Sequence, residues 1–205
     1  VHAEFGDMPL VSISGSQRAP LPHARWLGTV HHGLPLELHQ LGAGRGGYLA
    51  FLGRISPEKR LDRAIEIARR CGVPLRVAAK IDRADREYFD TRIRHLLDTP
   101  GVEFVGELGG ASKDRFLGDA RALLFPIDWP EPFGLVVIEA MACGTPVVAF
   151  RRGSVVEILD DGVTGFVVDT VDEAVAAVQQ LDTIDRGRCR SVFEGRFSAA
   201  RMARD

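Results

Sequence analysis

The sequence has little that marks a metal protein, a membrane protein or a nucleic-acid binder. Its three cysteines, Cys71, Cys143 and Cys189, are far apart and odd in number, with no metal-ligand spacing. They read as reduced thiols, as expected of a cytoplasmic protein. His31 and His32 have no carboxylate or third histidine at ligand spacing, so no metal site is expected there. No apolar run is long enough to span a bilayer. A formal net charge of −2 over 205 residues excludes a nucleic-acid binder that works through bulk charge. No D-x-D acidic pair is present to hold Mg²⁺ on a diphosphate, and there is no glycine-rich P-loop, internal repeat or low-complexity tract.

What is present is a regular alternation from Tyr48 onward. "YLAFLG" reads as a strand, followed by a helix from Pro57 with Ser56 as its N-cap. Leu61, Ala64, Ile65 and Ala68 then share one helical face, and Gly72 stops it. "PLRVAAK" is the next strand. Asp82 is expected to cap a helix burying Phe89, Ile93, Leu96 and Leu97. "VEFVG", "ALLFP", "PVVAF" and "GFVV" continue as strands between helices, and "VDEAVAAVQQL" closes the pattern. Several of these strands are too apolar to have a wet face. The expectation is an α/β domain, a doubly wound, Rossmann-like parallel sheet covered on both sides.

Residues 1–47 read differently, as short strand-like pieces ending in the linker-like "GAGRGG". The opening "VHAEFGDMPL" resembles neither a translation start nor a targeting segment, so the chain is expected to begin within a longer protein.

In such a sheet, ligands bind at the carboxyl ends of the strands. Three turns there carry chemistry. In "LGRISPEKR", Gly53 allows close backbone approach, and Arg54 and Lys59 stand near a helix N-terminus. A cation there is mildly unfavourable unless an anion such as phosphate arrives. The alternative is that both are solvated, or pair with Glu58 and Asp62. In "EPFGLVVIE", Glu131 is stiffened by Pro130 and Pro132, and Gly134 opens a helix whose free amides form a second phosphate cradle. Glu139 lies among Val137, Ile138, Ala140 and Met141, where an unpaired carboxylate would cost several kcal/mol. It must find donors, either in Arg54 or Lys59 or in ligand hydroxyls. In "RVAAKID", Lys80 ends a strand, and Gly106 and Glu107 mark another turn. These are weak signals taken alone. "DDG" at 160–162 reads as a turn, and the scattered arginines near the C-terminus as solvated helix faces.

"GRISPEK", followed about seventy residues later by "EPFGLVVIEAMACGTPVVAF" and then "GVTGFVV", resembles the C-terminal half of the retaining GT-B glycosyltransferases of family 4. The spacing from Glu131 to Glu139 is that family's E-x7-E signature, and the resemblance runs from about Tyr48 to Leu181. It implies a glycosyltransferase, of mannosyltransferase-like type, that uses a UDP- or GDP-linked sugar as substrate. No cofactor and no metal is implied. Arg54 and Lys59 would neutralise the diphosphate, with the amides of Gly134 and Leu135 on the same phosphates and Phe133 beside them. Glu139 would take the ribose hydroxyls and Glu131 those of the transferred sugar, giving Glu131, Arg54 and Lys59 the catalytic roles. Lys80 and the backbone at Gly106–Glu107 would border the base. Many relatives carry glycine before this lysine, where Ala79 stands here.

The same resemblance divides the chain. Residues 1–47 would be a remnant of the N-terminal acceptor domain with its hinge, 48–182 the donor-binding domain, and 183–205 helices returning across the cleft. The missing GT-B half is then the principal partner, and the isolated fragment is expected to bind donor weakly and transfer nothing. A peripheral membrane association of the full-length enzyme is a further expectation; a nucleic-acid partner is not. The rival readings are a GT-B nucleotide-sugar epimerase, which would need acid–base groups not seen here, and a non-catalytic nucleotide-binding module.

Overall fold

The computed structural model describes residues 7–205; residues 1–6, the start of the expected remnant, lie outside it. Two short strands, β1 (Leu10–Ser12) and β2 (Trp26–Thr29), pair in parallel. Polar bonds tie this pair together: Ser12 Oγ lies 2.8 Å from Thr29 Oγ1, and the Arg18 guanidinium donates to both.

The main sheet contains β3 (Leu49–Arg54), β4 (Leu75–Lys80), β5 (Val102–Gly106), β6 (Ala122–Phe125), β7 (Val147–Phe150) and β8 (Gly165–Val168). All pairings are parallel, in the order β5-β4-β3-β6-β7-β8. Counted from β3, this is the doubly wound Rossmann order, with its reversal between β3 and β6. The connecting helices are α1 (Leu61–Cys71), α2 (Arg86–Tyr88), α3 (Gly110–Asp119), α4 (Leu135–Ala142), α5 (Val155–Ile158) and α6 (Val171–Gln179). Two more follow, α7 (Arg186–Arg196) and α8 (Ala199–Met202).

Side-chain alternation along the strands builds two cores. Leu49, Phe51, Leu75, Val77, Leu124 and Val148 pack with α1 and α6 on one face. Ala50, Ala78, Leu123, Phe125 and Ala149 pack with α3, α4 and α7 on the other. The small alanines on that second face suit α4, which is apolar on nearly every side and needs close approach. Every residue of β6 and β7 is buried, as continuous apolar runs require of central parallel strands.

Three expectations are corrected. The helix from Pro57 is interrupted: Pro57–Lys59 form a 3-10 turn, Arg60 turns left-handed at φ 53°, and the α-helix starts only at Leu61. Ser56 has the extended backbone of a cap, but its hydroxyl makes no capping bond. The segment after Asp82 is a composite of 3-10, α and π turns that buries Phe89 and Ile93, and Asp82 caps nothing with its side chain.

The glycine-rich stretch at 42–47 is no free tether. Gly42, Gly44 and Gly46 donate to Cys143, Gly118 and Asp119 at 2.8–3.0 Å. The Arg186 guanidinium adds bonds to the carbonyls of Gly42, Gly118 and Ala120 and to the Thr145 hydroxyl. A Cβ on Gly42 would stand 2.2 Å from Gly118, so only glycine permits this contact.

Candidate active site

β3 and β6 pair only through Leu49–Ala122 and Ala50–Leu123, so beyond that point they diverge and open a crevice at their carboxyl ends. A cavity of about 350 Å³ lies there. Gly53 and Lys59 reach it from the β3 side, and Phe125, Glu131, Phe133 and Gly134 from the β6 side.

The Lys59 ammonium is ion-paired with the Glu131 carboxylate, 72 residues further along the chain. Glu131 is 9% exposed, so without this partner it would be a nearly buried, uncompensated charge. The indole Nε1 of Trp129 donates to the same carboxylate at 2.8 Å. Lys59 also stands 5.5 Å from the ring centroids of Phe125 and Trp129, within cation–π range. An aromatic pair thus frames the ammonium while Glu131 neutralises it.

The backbone of the Glu131 loop is clamped by the turn after β7. Ser154 donates its amide to the Glu131 carbonyl at 3.0 Å and its hydroxyl to the Phe133 carbonyl at 2.9 Å. Gly153, at φ 58°, lies so close that an added Cβ would sit 2.3 Å from the Glu131 backbone. Gly134 then turns left-handed at φ 83° to cap α4. The first amides of that helix lack intrahelical partners, and Leu135 and Val136 line the cavity.

The left-handed Arg60 holds Lys59 in position. Its guanidinium is gripped by Asp62 at 2.8 Å and Asp128 at 2.9 Å. Arg63 and Arg152 also reach Asp128. Burial pushes the Asp128 carboxyl up, but these guanidiniums outweigh it and hold the group below its usual range.

The remaining expected residues are distributed unevenly. Arg54 is 47% exposed and engaged by three acids, Glu58 at 2.7 Å, Asp85 at 3.2 Å and Asp82 at 3.8 Å, outside the cavity lining. The bond to Glu58, with its neighbours, raises the guanidinium's already high pKa. Lys80, in register with Arg54 on the next strand, is bonded to Asp82 at 2.7 Å. Gly106 ends β5 at φ 76°, opposite Ala78 at a register shift, and Glu107 follows it. Glu139 lies one turn inside α4, and its carboxylate pairs with neither Arg54 nor Lys59. It accepts instead from Lys113 Nζ of α3 at 2.7 Å.

Sequence reasoning therefore missed Lys113, Trp129 and the Gly153–Ser154 clamp. It also missed Ile13 and His32, which line the cavity from the N-terminal segment. The His32 ring meets Phe133 edge-on at 5.0 Å, and His31 stands 3.6 Å from Glu157. Glu157 in turn accepts the amides of Gly15 and Ser16, at 2.7 and 2.9 Å. Away from the cavity, His39, Asp114 and Cys143 meet where the linker packs on α3 and α4, with His39 Nδ1 2.6 Å from Asp114. Burial pushes the Cys143 thiol up to about 12, so it is protonated at neutral pH.

The sequence model of the family described as glycosyl transferases group 1 matches residues 40–187. D-inositol 3-phosphate glycosyltransferase of Mycolicibacterium smegmatis is 31% identical over 201 residues, which cover 91% of this chain and 45% of that protein. Sucrose synthase of Acidithiobacillus caldus is 39% identical over 90 residues, 44% of this chain and 11% of that one. The chain spans less than half the length of these curated relatives. Among solved structures, AviGT4, a glycosyltransferase involved in avilamycin A biosynthesis, superposes with a TM-score of 0.79 at 26% identity, over 95% of this chain and 60% of that one. Anabaena HepE, crystallised with UDP and glucose, shares the fold at a TM-score of 0.80 and 20% identity, with the same coverage of both chains. Among the described residues no helix is long and apolar enough to cross a membrane. Since the match runs from the packed linker through the whole parallel sheet to the start of α7, the chain belongs to the glycosyl transferases group 1 family.

Proposed function

We propose that the crevice between β3 and β6 binds a UDP- or GDP-linked sugar, as the donor half of a retaining, metal-independent glycosyltransferase. The observation that carries this reading is the Lys59–Glu131 pair, in which each charge holds the place of a ligand group. On donor binding, Lys59 exchanges the carboxylate for the diphosphate, and Glu131 turns to the hydroxyls of the transferred sugar. Trp129 stays on Glu131 and keeps it from following Lys59. The free amides at Gly134 and Leu135 meet the same phosphates with the positive end of α4. Arg54, itself exposed, joins them by leaving its partly buried acidic partners. Glu139 accepts from the ribose, and the base lies toward Lys80 and Gly106–Glu107.

As the glycosidic bond breaks, negative charge grows on the departing diphosphate. Lys59, Arg54 and the helix amides, seated on the diphosphate once donor is bound, stabilise that charge more than they stabilise the bound donor. The acceptor attacks from the face the diphosphate leaves, and a departing phosphate oxygen takes its proton, so the anomeric configuration is kept. The acceptor is held by the N-terminal half of the enzyme, from which, among the described residues, Ile13 and His32 reach this cavity. The isolated chain is therefore a binding domain that completes its chemistry with that half.

Binding measurements separate the two charged roles. Lys59→Ala is expected to abolish binding of both UDP-glucose or GDP-mannose and the matching free diphosphate. Glu131→Gln is expected to weaken the sugar nucleotide about tenfold or more while leaving the free diphosphate within about twofold, the loss expected for a hydrogen bond to a charged group. Equal weakening of both ligands by Glu131→Gln would overturn its assignment to the sugar.

A further inference from the structure

Lys113 carries no role in the donor reading, yet the structure gives it one partner, the carboxylate at the centre of the apolar α4. Ile138, Ala140 and Met141 around Glu139 are fully buried, and the Glu139 side chain itself is 17% exposed. Such a carboxylate can swing among rotamers only by leaving its donor, and Lys113 Nζ is the donor the structure supplies, at 2.7 Å to Oε1. Lys113 projects from the first turn of α3, an element separated from α4 by β6, so the bond crosses between two independent helices. The contrast with the other acid is informative. Glu131 is held by two donors, one of which, Lys59, lines the cavity and is free to move onto a phosphate. Neither Lys113 nor Glu139 is among the residues lining the cavity, but Glu139 lies one helical turn beyond Leu135, which is, while Lys113 on α3 has no anion there to move toward. It stays on Oε1 while Oε2, which makes no hydrogen bond among the described residues, remains available to a ligand.

We propose that Lys113 is a positioning residue: by fixing Oε1 it presents Oε2 of Glu139 to the nucleoside hydroxyls, and so sets the discrimination between ribose and deoxyribose nucleotides. This rests on the donor reading above, within which Glu139 faces the ribose. A carboxylate held in one rotamer pays little entropy to accept a hydroxyl, whereas a loose one in an apolar helix gains as much from water as from the ribose. The site then rejects analogues that leave its oriented carboxylate unpaired. A purely structural ion pair would do none of this; it would only make the fold less stable when broken.

The test uses calorimetry on the whole chain with UDP, GDP and their 2′,3′-dideoxy counterparts. The native chain is expected to prefer the ribose form about tenfold or more, as for hydrogen bonds to a charged group. Lys113→Met is expected to bring that preference close to one while leaving affinity for the dideoxy form within about twofold. Lys113→Arg should keep the preference, because a guanidinium still reaches the carboxylate. In a Glu139→Gln background the Lys113→Met change should have no further effect, since Lys113 acts through Glu139. If Lys113→Met cannot be folded, Lys113→Gln in the same pair of backgrounds gives the same reading. Equal weakening of ribose and dideoxy ligands, or an unchanged preference, overturns the positioning role while leaving the donor site intact. Failure of the native chain to bind either diphosphate overturns the donor reading itself and this inference with it.

Discussion

At the scale of single residues, charge placement governs what this chain can do. Of the two acids, Glu131 is buried and Glu139 partly buried, and each is compensated by a lysine from elsewhere in the sequence, Lys59 and Lys113. Neither partner follows from periodicity. The alternation of apolar residues shows which face a side chain occupies, and the apolar run around Glu139 correctly demands a donor, but the donor comes from another helix. Trp129 was equally hidden, because an indole two residues before Glu131 reads first as core. The buried thiols permit a test at this scale. Burial raises Cys143 to about 12 and Cys189 to about 11. An unfolded cysteine ionises near about 8.5. Below that pH neither state is ionised and the thiols are without effect; above it the unfolded chain loses protons that the folded chain keeps, so stability falls with rising pH. Between pH 8 and 10, Cys143→Ala is expected to lose about 2 kcal/mol less than the native chain in urea unfolding. An identical loss in both would show that the thiol ionises freely in the fold.

At the scale of elements, the strands were the most legible. β6 and β7 are buried throughout, and their uninterrupted apolar runs announce it. Helix interiors followed equally well from spacing, as for Leu61, Ala64, Ile65 and Ala68. Element ends were less legible, because they are decided by local geometry that side-chain pattern does not encode. The break at Arg60 is one case: a left-handed non-glycine residue held by Asp62 and Asp128, which come from opposite sides of the cavity. The mixed turns between Arg83 and Asp98 are another, since Phe89 and Ile93 reach the core from an irregular helix as well as from a regular one. The Gly153 turn links two elements directly. Any Cβ there meets the Glu131 backbone at 2.3 Å, and the positive φ adds strain of its own. Gly153→Ala is expected to cost about 3 kcal/mol in denaturant unfolding and to weaken sugar-nucleotide binding with it. A variant within about 0.5 kcal/mol of the native chain would show that the clamp is looser than its geometry implies.

For the whole molecule, the doubly wound order places the crevice before any side chain is considered, and the turns at its mouth bring Lys59 and Glu131 together there. The fold and its crevice were readable from alternation, and the family from the E-x7-E resemblance. The docking of the flanking segments was not. Leu34 bonds to Phe197 and Ala199, Glu157 holds Gly15 and Ser16, and Arg186 threads the linker onto α3, so residues on both sides of the sheet domain form one packed unit with it. Each of these contacts has a backbone group as at least one partner and spans a long separation in the chain, which residue types do not announce. They bring Ile13 and His32 to the cavity, where Lys59 and Glu131 are joined as an ion pair in its lining. A crystal structure of the chain with a bound UDP- or GDP-sugar tests that arrangement most directly. The expected result is an opened pair, with the Lys59 ammonium on a phosphate oxygen and the Glu131 carboxylate on sugar hydroxyls, still bonded to Trp129. A donor lodged elsewhere, with Lys59 and Glu131 still joined, would contradict it.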